Sequence, residues 1–263
     1  MPTWNPADYQ KHSSVQQKWA RELIAKLRLR GDERVLDIGC GDGKVTAELS
    51  RNVPRGSVVG LDSSLQMVEF ARQAFPSDAH PKLSFVHGDA SRLRFDQEFD
   101  LVFSNATLHW IYEHPPILAG IFRALRPGGR MLAQMGGKGC ADDVKSVLNT
   151  MMTSERWGQH FHEFSFQHGF HGPVEYRQWL KDAGLEAIRV DHFPKDMTHS
   201  GAEGLKGWLR TTWMPYIHAV PESGREEFLD ELTDRFLEAF PLDDTGLAHV
   251  KMVRLEVEAV RAG

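Results

Sequence analysis

The sequence predicts an α/β fold: a mainly parallel sheet of seven strands with helices on both faces and a helical insertion. Three observations carry this expectation. Short aliphatic runs alternate with stretches that place an apolar residue every third or fourth position, the strand–helix alternation that builds parallel sheets. The first such run, Val35-Leu36-Asp37-Ile38, stops at a cluster of glycines, as a buried strand does before a tight turn. After residue 136 the rhythm breaks into a stretch rich in histidine and aromatic side chains with little strand character.

Along the chain, Val15, Trp19, Leu23, Ile24 and Leu27 recur at helical spacing, and Gly31 ends that helix. Residues 34–38 form the first strand, 45–49 suit a helix, 57–62 a second strand, and 65–75 a helix with Met67, Val68, Ala71 and Phe75 as its apolar face. Residues 83–86 and 99–104 supply the third and fourth strands. Residues 117–125 read as a helix, and 130–135 as the fifth strand after the Pro127-Gly128-Gly129 turn. The segment 136–183, carrying Trp157, Phe161, Phe164, Phe166, Phe170, Tyr176 and Trp179, reads as a helical insertion. Strand character returns at 185–190, helices follow at 202–213 and 225–240, and 250–260 supplies the last strand. One domain with a cap is the expectation, rather than two independent domains.

Composition narrows the function classes. The 263 residues are 41% hydrophobic and 25% charged, enough for one substantial core, which excludes a disordered or collagen-like chain. A net charge of −5 argues against a protein whose main task is gripping phosphate backbones. No run approaches the ~18 apolar residues of a membrane span. Met1-Pro2-Thr3-Trp4-Asn5 lacks the basic-then-apolar layout of a signal peptide, so a cytoplasmic setting is expected, with neither nucleic acid nor membrane as partner. Two cysteines, Cys40 and Cys140, are too few for a disulfide framework or a cysteine zinc site. His160, His162, His168 and His171 lack the helical His-x-x-x-His spacing of a closed metal site, so no metal is expected.

The chemistry centres on Gly39, Gly41 and Gly43, which alternate between the first strand and the following helix and let a ligand lie against bare main chain. A dinucleotide fingerprint would space its glycines as G-x-G-x-x-G, and a phosphate loop would follow its last glycine with Lys and then Ser or Thr. Here Lys44-Val45-Thr46 follows, and Asp37 precedes the first glycine by two positions. Asp62, ending the second strand, is placed to accept hydrogen bonds from two ribose hydroxyls, or is an ordinary solvated strand-end acid.

The string Asp37-Ile38-Gly39-Cys40-Gly41-Asp42-Gly43 resembles motif I of the class I S-adenosylmethionine-dependent methyltransferases. Asp62-Ser63-Ser64 with Met67 resembles their ribose and adenine wall, Gly88-Asp89-Ala90 the loop that meets the adenine amino group, and Phe103-Ser104-Asn105-Ala106 the strand-four edge beneath the sulfonium. These motifs fall in the family's order over residues 35–130, about a third of the chain. The resemblance implies a Rossmann-like methyltransferase fold with the final strand antiparallel, S-adenosylmethionine as cofactor and S-adenosylhomocysteine as product. It implies that Gly39, Cys40 and Gly41 line the cofactor while Asp37 reaches its amino group, directly or through water, or else caps loop amides. Asp89 accepts from the adenine N6 amine, Ala90 offers a backbone N–H, Ser63 and Met67 flank the nucleoside, and Asn105 touches the cofactor through its backbone. The division that follows is 1–135 for the N-terminal helix and cofactor core, 136–183 for a lid, and 184–263 for the remaining strands with a helical acceptor-pocket insertion at about 200–245.

Trp4-Asn5-Pro6 with Tyr9, Ser13 and Gln16, together with Asn105-Ala106-Thr107-Leu108-His109-Trp110, resembles small-molecule carboxyl methyltransferases of the trans-aconitate and juvenile hormone acid type. The implied acceptor is a small acid, with Gln16 and the Trp110 indole holding its carboxylate as neutral donors and Tyr9 beside it. A carboxylate with a pKa near ~4 is ionised at neutral pH and needs no general base. His109 is the competing centre, since an alcohol, phenol or amine acceptor would use it to take a proton. A noncatalytic cofactor-binding protein is a third reading. Trp208, Trp213 and Tyr216 are either the acceptor wall or interhelical core, and Arg210 either pairs with the acceptor or is a solvated helix charge. A monomer or homodimer is expected.

Overall fold

The computed structural model describes residues 14–263, with side chains from residue 19 onward. Those residues divide into two compact units. The larger holds the described chain up to Lys138 with His168–Phe193 and Arg254–Gly263, and the smaller holds Gly139–Gln167 and Pro194–Val253.

The larger unit opens with α1 (Ser14–Ile24), which buries Ala20, Leu23 and Ile24. β1 (Arg34–Ile38) is buried from Val35 through Ile38, the pattern of a strand covered on both faces. β2 (Ser57–Asp62), β3 (Leu83–His87), β4 (Phe99–Asn105) and β5 (Leu125–Gly136) join it in parallel. Between them lie α2 (Lys44–Asn52), α3 (Leu65–Ala74) and α4 (Pro115–Ala124). α3 starts where Ser64 Oγ accepts the Met67 amide at 3.3 Å, and α4 starts at two prolines, whose fixed φ suits a first helical turn. α6 (Pro173–Asp182) also belongs to this unit; residues 168–183, expected within the insertion, therefore sit with the sheet.

Seven strands run in the order β3-β2-β1-β4-β5-β7-β6, with β7 (Leu247–Arg261) antiparallel to β5. β6 (Leu185–Ser200) and β7 are much longer than the five-residue β1, and both continue into residues of the smaller unit. β5 begins earlier than the Pro127-Gly128-Gly129 turn suggests. Leu125 already pairs with Phe99, and the register slips before Leu101 meets Arg130, so the turn is a bulge inside the strand with Gly128 at φ 78°.

The smaller unit packs α5 (Asp142–Met152) with α7 (Gly201–Thr212), α8 (Met214–Ala219) and α9 (Arg225–Ala239). Val144, Leu148 and Met151 of α5 share one core with Leu205, Leu209, Phe228, Leu232 and Phe236. The buried Trp157 donates its indole N–H to Glu231 Oε2 at 2.8 Å, which removes the cost of burying that donor.

Candidate active site

Strand order reverses between β1 and β4: from β1 the chain steps outward through β2 and β3, then returns to β4 on the other side. That reversal opens a crevice at the carboxyl ends of the two strands, the usual ligand position in open α/β sheets. The glycine loop leaves β1 there, and the Asn105–Trp110 stretch leaves β4 beside it.

The loop is built for close approach. Gly39, Gly41 and Gly43 all have positive φ, at 77°, 52° and 80°. A Cβ at Gly39 would collide with the Thr107 side chain, and one at Gly43 would lie 2.8 Å from Phe85 Cζ. Gly39 and Cys40 both donate to Leu61 O, at 2.7 and 3.1 Å, which pins the loop to the end of β2. Asp62 braces it further, accepting from Gly41 N through Oδ2 and from Ser64 N through Oδ1, both at 2.9 Å. Asp37, only 2% exposed, accepts from Thr46 Oγ1 at 2.7 Å.

These two carboxylates are electrostatically uncomfortable without a cation. Burial pushes the Asp37 carboxyl up to about 7, the Thr46 hydrogen bond opposes the shift, and the nearby Asp62 charge adds to it. Burial likewise raises Asp62 despite its main-chain donors. Burial and the same acids push the Cys40 thiol well up, so it stays an unreactive packed side chain. A cradle of bare main chain with two buried acids fits a ligand that carries a ribose diol and positive charge.

On the nucleoside side, Gly88 N donates to Asp62 O at 2.9 Å, setting the Gly88-Asp89-Ala90 turn beside the end of β2. Asp89 spends one oxygen on its own turn, accepting from Ser91 N and Oγ at 2.8 Å, and Ala90 is buried. Ser63 is fixed by its carbonyl, 3.1 Å from His87 Nε2, and Met67 is buried at the start of α3.

At the β4 edge, Thr107 Oγ1 lies 3.2 Å from Gly39 O and 3.1 Å from Asn105 O, tying the two loops together. Asn105 Oδ1 accepts from Gln134 Nε2, and the next residue, Ala106 at φ 55°, donates its N–H to Gln134 O at 2.8 Å. His109 Nδ1 accepts the Gly136 N–H at 3.4 Å, which leaves the neutral ring's proton on Nε2. Burial takes the His109 pKa down to about 3, helped by His168 and His114. Its ring stacks near His168 and Phe170, with Trp110 at 5.5 Å.

The other expected residues fall elsewhere. Tyr9 lies outside the described residues, as do Trp4 and Ser13, and Gln16 sits on α1 with its side chain outside them. Trp213 is buried in the core of the smaller unit, 5.5 Å from Tyr216, and Trp208 stacks on His199 at 5.0 Å. Arg210 pairs with Glu226 at 3.0 Å. Among the described residues no group of three or more His, Cys, Asp and Glu is arranged to hold a metal ion, and no helix is long and apolar enough to cross a membrane. Thr107, Thr46 and Gln134 were not anticipated from sequence. Gln134 did leave a trace there, as one polar residue inside the apolar run Met131-Leu132-Ala133-Gln134-Met135.

The comparisons with known proteins agree with this geometry. A methyltransferase-domain family model matches residues 35–129, the stretch from β1 to the β5 bulge. A trans-aconitate 2-methyltransferase of Deinococcus radiodurans is 32% identical over 245 residues, covering 91% of this chain and 92% of that protein. One from Shigella flexneri serotype 5b is 28% identical across 99% of both chains. Among solved structures, a Haemonchus contortus phosphoethanolamine N-methyltransferase 2 in complex with S-adenosyl-L-methionine shares the fold at a TM-score of 0.62 and 17% identity, over 98% of this chain and 57% of that one. The glycine cradle, the paired acids and a relative that similar over nearly the whole length lead to one conclusion: the chain belongs to the class I S-adenosylmethionine-dependent methyltransferases, an enzyme family whose cofactor its site fits.

Proposed function

We propose that this methyltransferase acts on a carboxylate oxygen of a small-molecule acid. The observation that carries the reading is the state of His109. A ring that accepts a main-chain N–H and whose pKa lies at about 3 is neutral at physiological pH and a poor proton acceptor. A hydroxyl or amine acceptor calls for a base poised near the working pH, whereas a carboxylate arrives already ionised. The names of the two relatives support the same class of acceptor. A cytoplasmic enzyme acting on a diffusible acid, as monomer or homodimer, is the setting this reading implies.

When bound, S-adenosylmethionine supplies a methyl group already activated by its sulfonium. The chain's work is therefore positioning and exclusion of water. Gly39, Cys40 and Gly41 offer main chain without obstruction, and Asp62, already holding Gly41 and Ser64, keeps lone pairs for the ribose hydroxyls. Ser63, Met67, Asp89 and Ala90 receive the nucleoside, and the ionised Asp37 neutralises the methionyl ammonium. Gln16 and the Trp110 indole hold the acceptor carboxylate as neutral donors, with Tyr9 beside it, so the attacking oxygen keeps its negative charge. His109 fixes the loop end of β4 through Gly136 rather than moving a proton.

The test uses methyl-labelled S-adenosylmethionine and a panel of mono-, di- and tricarboxylic acids. The expected product is a methyl ester, which releases labelled methanol on mild alkaline treatment. Label that stays on the product through that treatment would assign the acceptor to oxygen ethers, nitrogen or carbon instead.

A further inference from the structure

The turn that carries His109 and Trp110 is gripped from behind by a histidine that sequence alone does not single out. His114, the residue before α4, is fully buried. Its Nε2 lies 3.0 Å from Leu108 O and 2.9 Å from Ile111 O, the two carbonyls that flank His109 and Trp110. Carbonyls only accept, so Nε2 carries the ring's proton and shares it between them. Nδ1 is then an acceptor, and the Tyr176 hydroxyl of α6, also fully buried, donates to it at 3.0 Å. Burial brings the His114 pKa down to about 4, with nearby His171 adding to the fall and the two carbonyls opposing it, so the ring is neutral at physiological pH. The neighbouring segment completes the grip. Gly169 N donates to His109 O at 2.8 Å, and His171 Nε2 lies 2.8 Å from Tyr112 O. Gly169 has to be glycine for this approach: a Cβ there would collide with Ile111 O and lie 2.8 Å from His114 Nε2.

We propose that His114 is a positioning residue for methyl transfer: its shared Nε2 proton holds the His109–Trp110 turn where the Trp110 indole meets the acceptor, and Tyr176 fixes the ring that does so. This role rests on the acceptor contact assigned to Trp110 under Proposed function. The turn, Leu108–Trp110, is a single 3₁₀ turn, with Trp110 N donating to Thr107 O at 3.0 Å and Ile111 N to Leu108 O at 2.9 Å. Hydrogen bonds of that kind are poorly aligned, so so short a turn depends on support from outside. One side chain bound to the carbonyls on both sides of His109 and Trp110 fixes the curvature of the turn, and with it the direction in which the indole leaves the backbone. Direction matters here because a misplacement of about 1 Å in a positioning group costs about a hundredfold in rate.

The test compares two substitutions of similar size and length. His114→Gln still carries an N–H donor that reaches as far as Nε2 does, whereas His114→Met fills similar space with none. The packing change is shared, so the difference between them reads the hydrogen bonds. With the best acceptor from the carboxylic-acid panel, His114→Met is expected to lower turnover by about thirtyfold to a hundredfold, and His114→Gln to restore it to within about fivefold of wild type. Affinity for S-adenosylhomocysteine, by calorimetry, stays within about threefold in both. Amide exchange at Trp110 and Ile111, measured without acceptor, accelerates about tenfold or more in His114→Met and returns toward the wild-type rate in His114→Gln. Should His114→Met fail to fold, Tyr176→Phe removes only the hydroxyl and is expected to lose about three- to tenfold in turnover with the same exchange pattern. Wild-type turnover in His114→Met or Tyr176→Phe, equal impairment of the Gln and Met variants, or a loss matched by an equal loss of cofactor affinity would overturn the proposal. Wild-type turnover in Trp110→Phe would instead remove the acceptor role of the indole, so the two readings fail separately.

Discussion

At neutral pH the Asp37 carboxyl is close to half protonated, because burial lifts it to about 7 from an ordinary value of 3.8. Below about pH 4 both folded and unfolded chains hold that proton, and as pH rises through 7 the folded chain alone is penalised by the forming charge, so ligand-free stability falls over that range. A cation in the site reverses the penalty. S-adenosylmethionine, with its sulfonium and ammonium, is therefore expected to bind with release of a proton and to gain affinity between pH 6 and 8. Calorimetry in two buffers of different ionisation enthalpy measures that release, and Asp37→Asn abolishes it; identical heats in both buffers with the unmodified protein would refute the coupling. Asp62 has a different task, accepting hydroxyls while it braces the loop. Asp62→Ala is expected to weaken cofactor binding by about tenfold to a hundredfold, the worth of one or two hydrogen bonds to a charged acceptor. For His109, Asn reproduces the Nδ1 acceptor that Gly136 uses. His109→Asn is accordingly expected to retain activity within about threefold, with no rate-controlling ionisation between pH 6 and 8; a loss of several hundredfold would restore the histidine as a base.

The glycine loop and its flanking strands were the part most open to reading from sequence, since each is a local device. Positive φ at three alternating positions leaves glycine as the one residue without strain, and β1 and β2 are buried on both faces, so they read as short, mostly aliphatic runs in which Asp37 and Asp62 stand out. Gly43 shows how tightly the requirement binds. At φ 80° a Cβ there would also press on Phe85 and lie 3.0 Å from Ala71 Cβ, so Gly43→Ala combines backbone strain with overpacking. A destabilisation of about 2–4 kcal/mol is expected from the two effects, read as a lower denaturant midpoint with loss of cofactor affinity. The supports behind the loop were harder to anticipate, because their partners come from distant sequence. Arg254 and Glu256 on β7 look like exposed alternation, yet Glu256 is fully buried between Lys26 of α1, at 2.7 Å, and Arg189 of β6. β5 misled for a related reason: a Pro-Gly-Gly sequence normally ends structure, but pairing of Leu125 with Phe99 carries the strand through it as a bulge.

Among the described residues the chain passes between its two units four times, which is why the smaller unit reads from sequence as two separate insertions. Gly139–Gln167 and Pro194–Val253 contribute to one shared core, in which α5 from the first covers its apolar face with α7 and α9 from the second. Helical periodicity announces each apolar face, but nothing local names its partner across the intervening residues, which belong to the other unit. Trp213 illustrates the consequence: its aromatic side chain at helical spacing leaves acceptor wall and interhelical core both open from sequence, and it lies buried in the core of its own unit. Phe228 lies at the centre of that core, fully buried, with its ring edge-on to Trp157 at 5.2 Å and beside Phe161 at 5.7 Å. Phe228→Ala is expected to cost about 3–5 kcal/mol, the usual range for emptying a large aromatic site. The described cofactor residues, from Asp37 through Asn105, all lie in the larger unit. Hydrogen exchange in the variant should therefore accelerate across 139–167 and 194–253, while affinity for S-adenosylhomocysteine stays within about twofold. Equal acceleration in β1, β2 and β4, together with lost binding, would show instead that the two units unfold as one cooperative body and that the cofactor site depends on both.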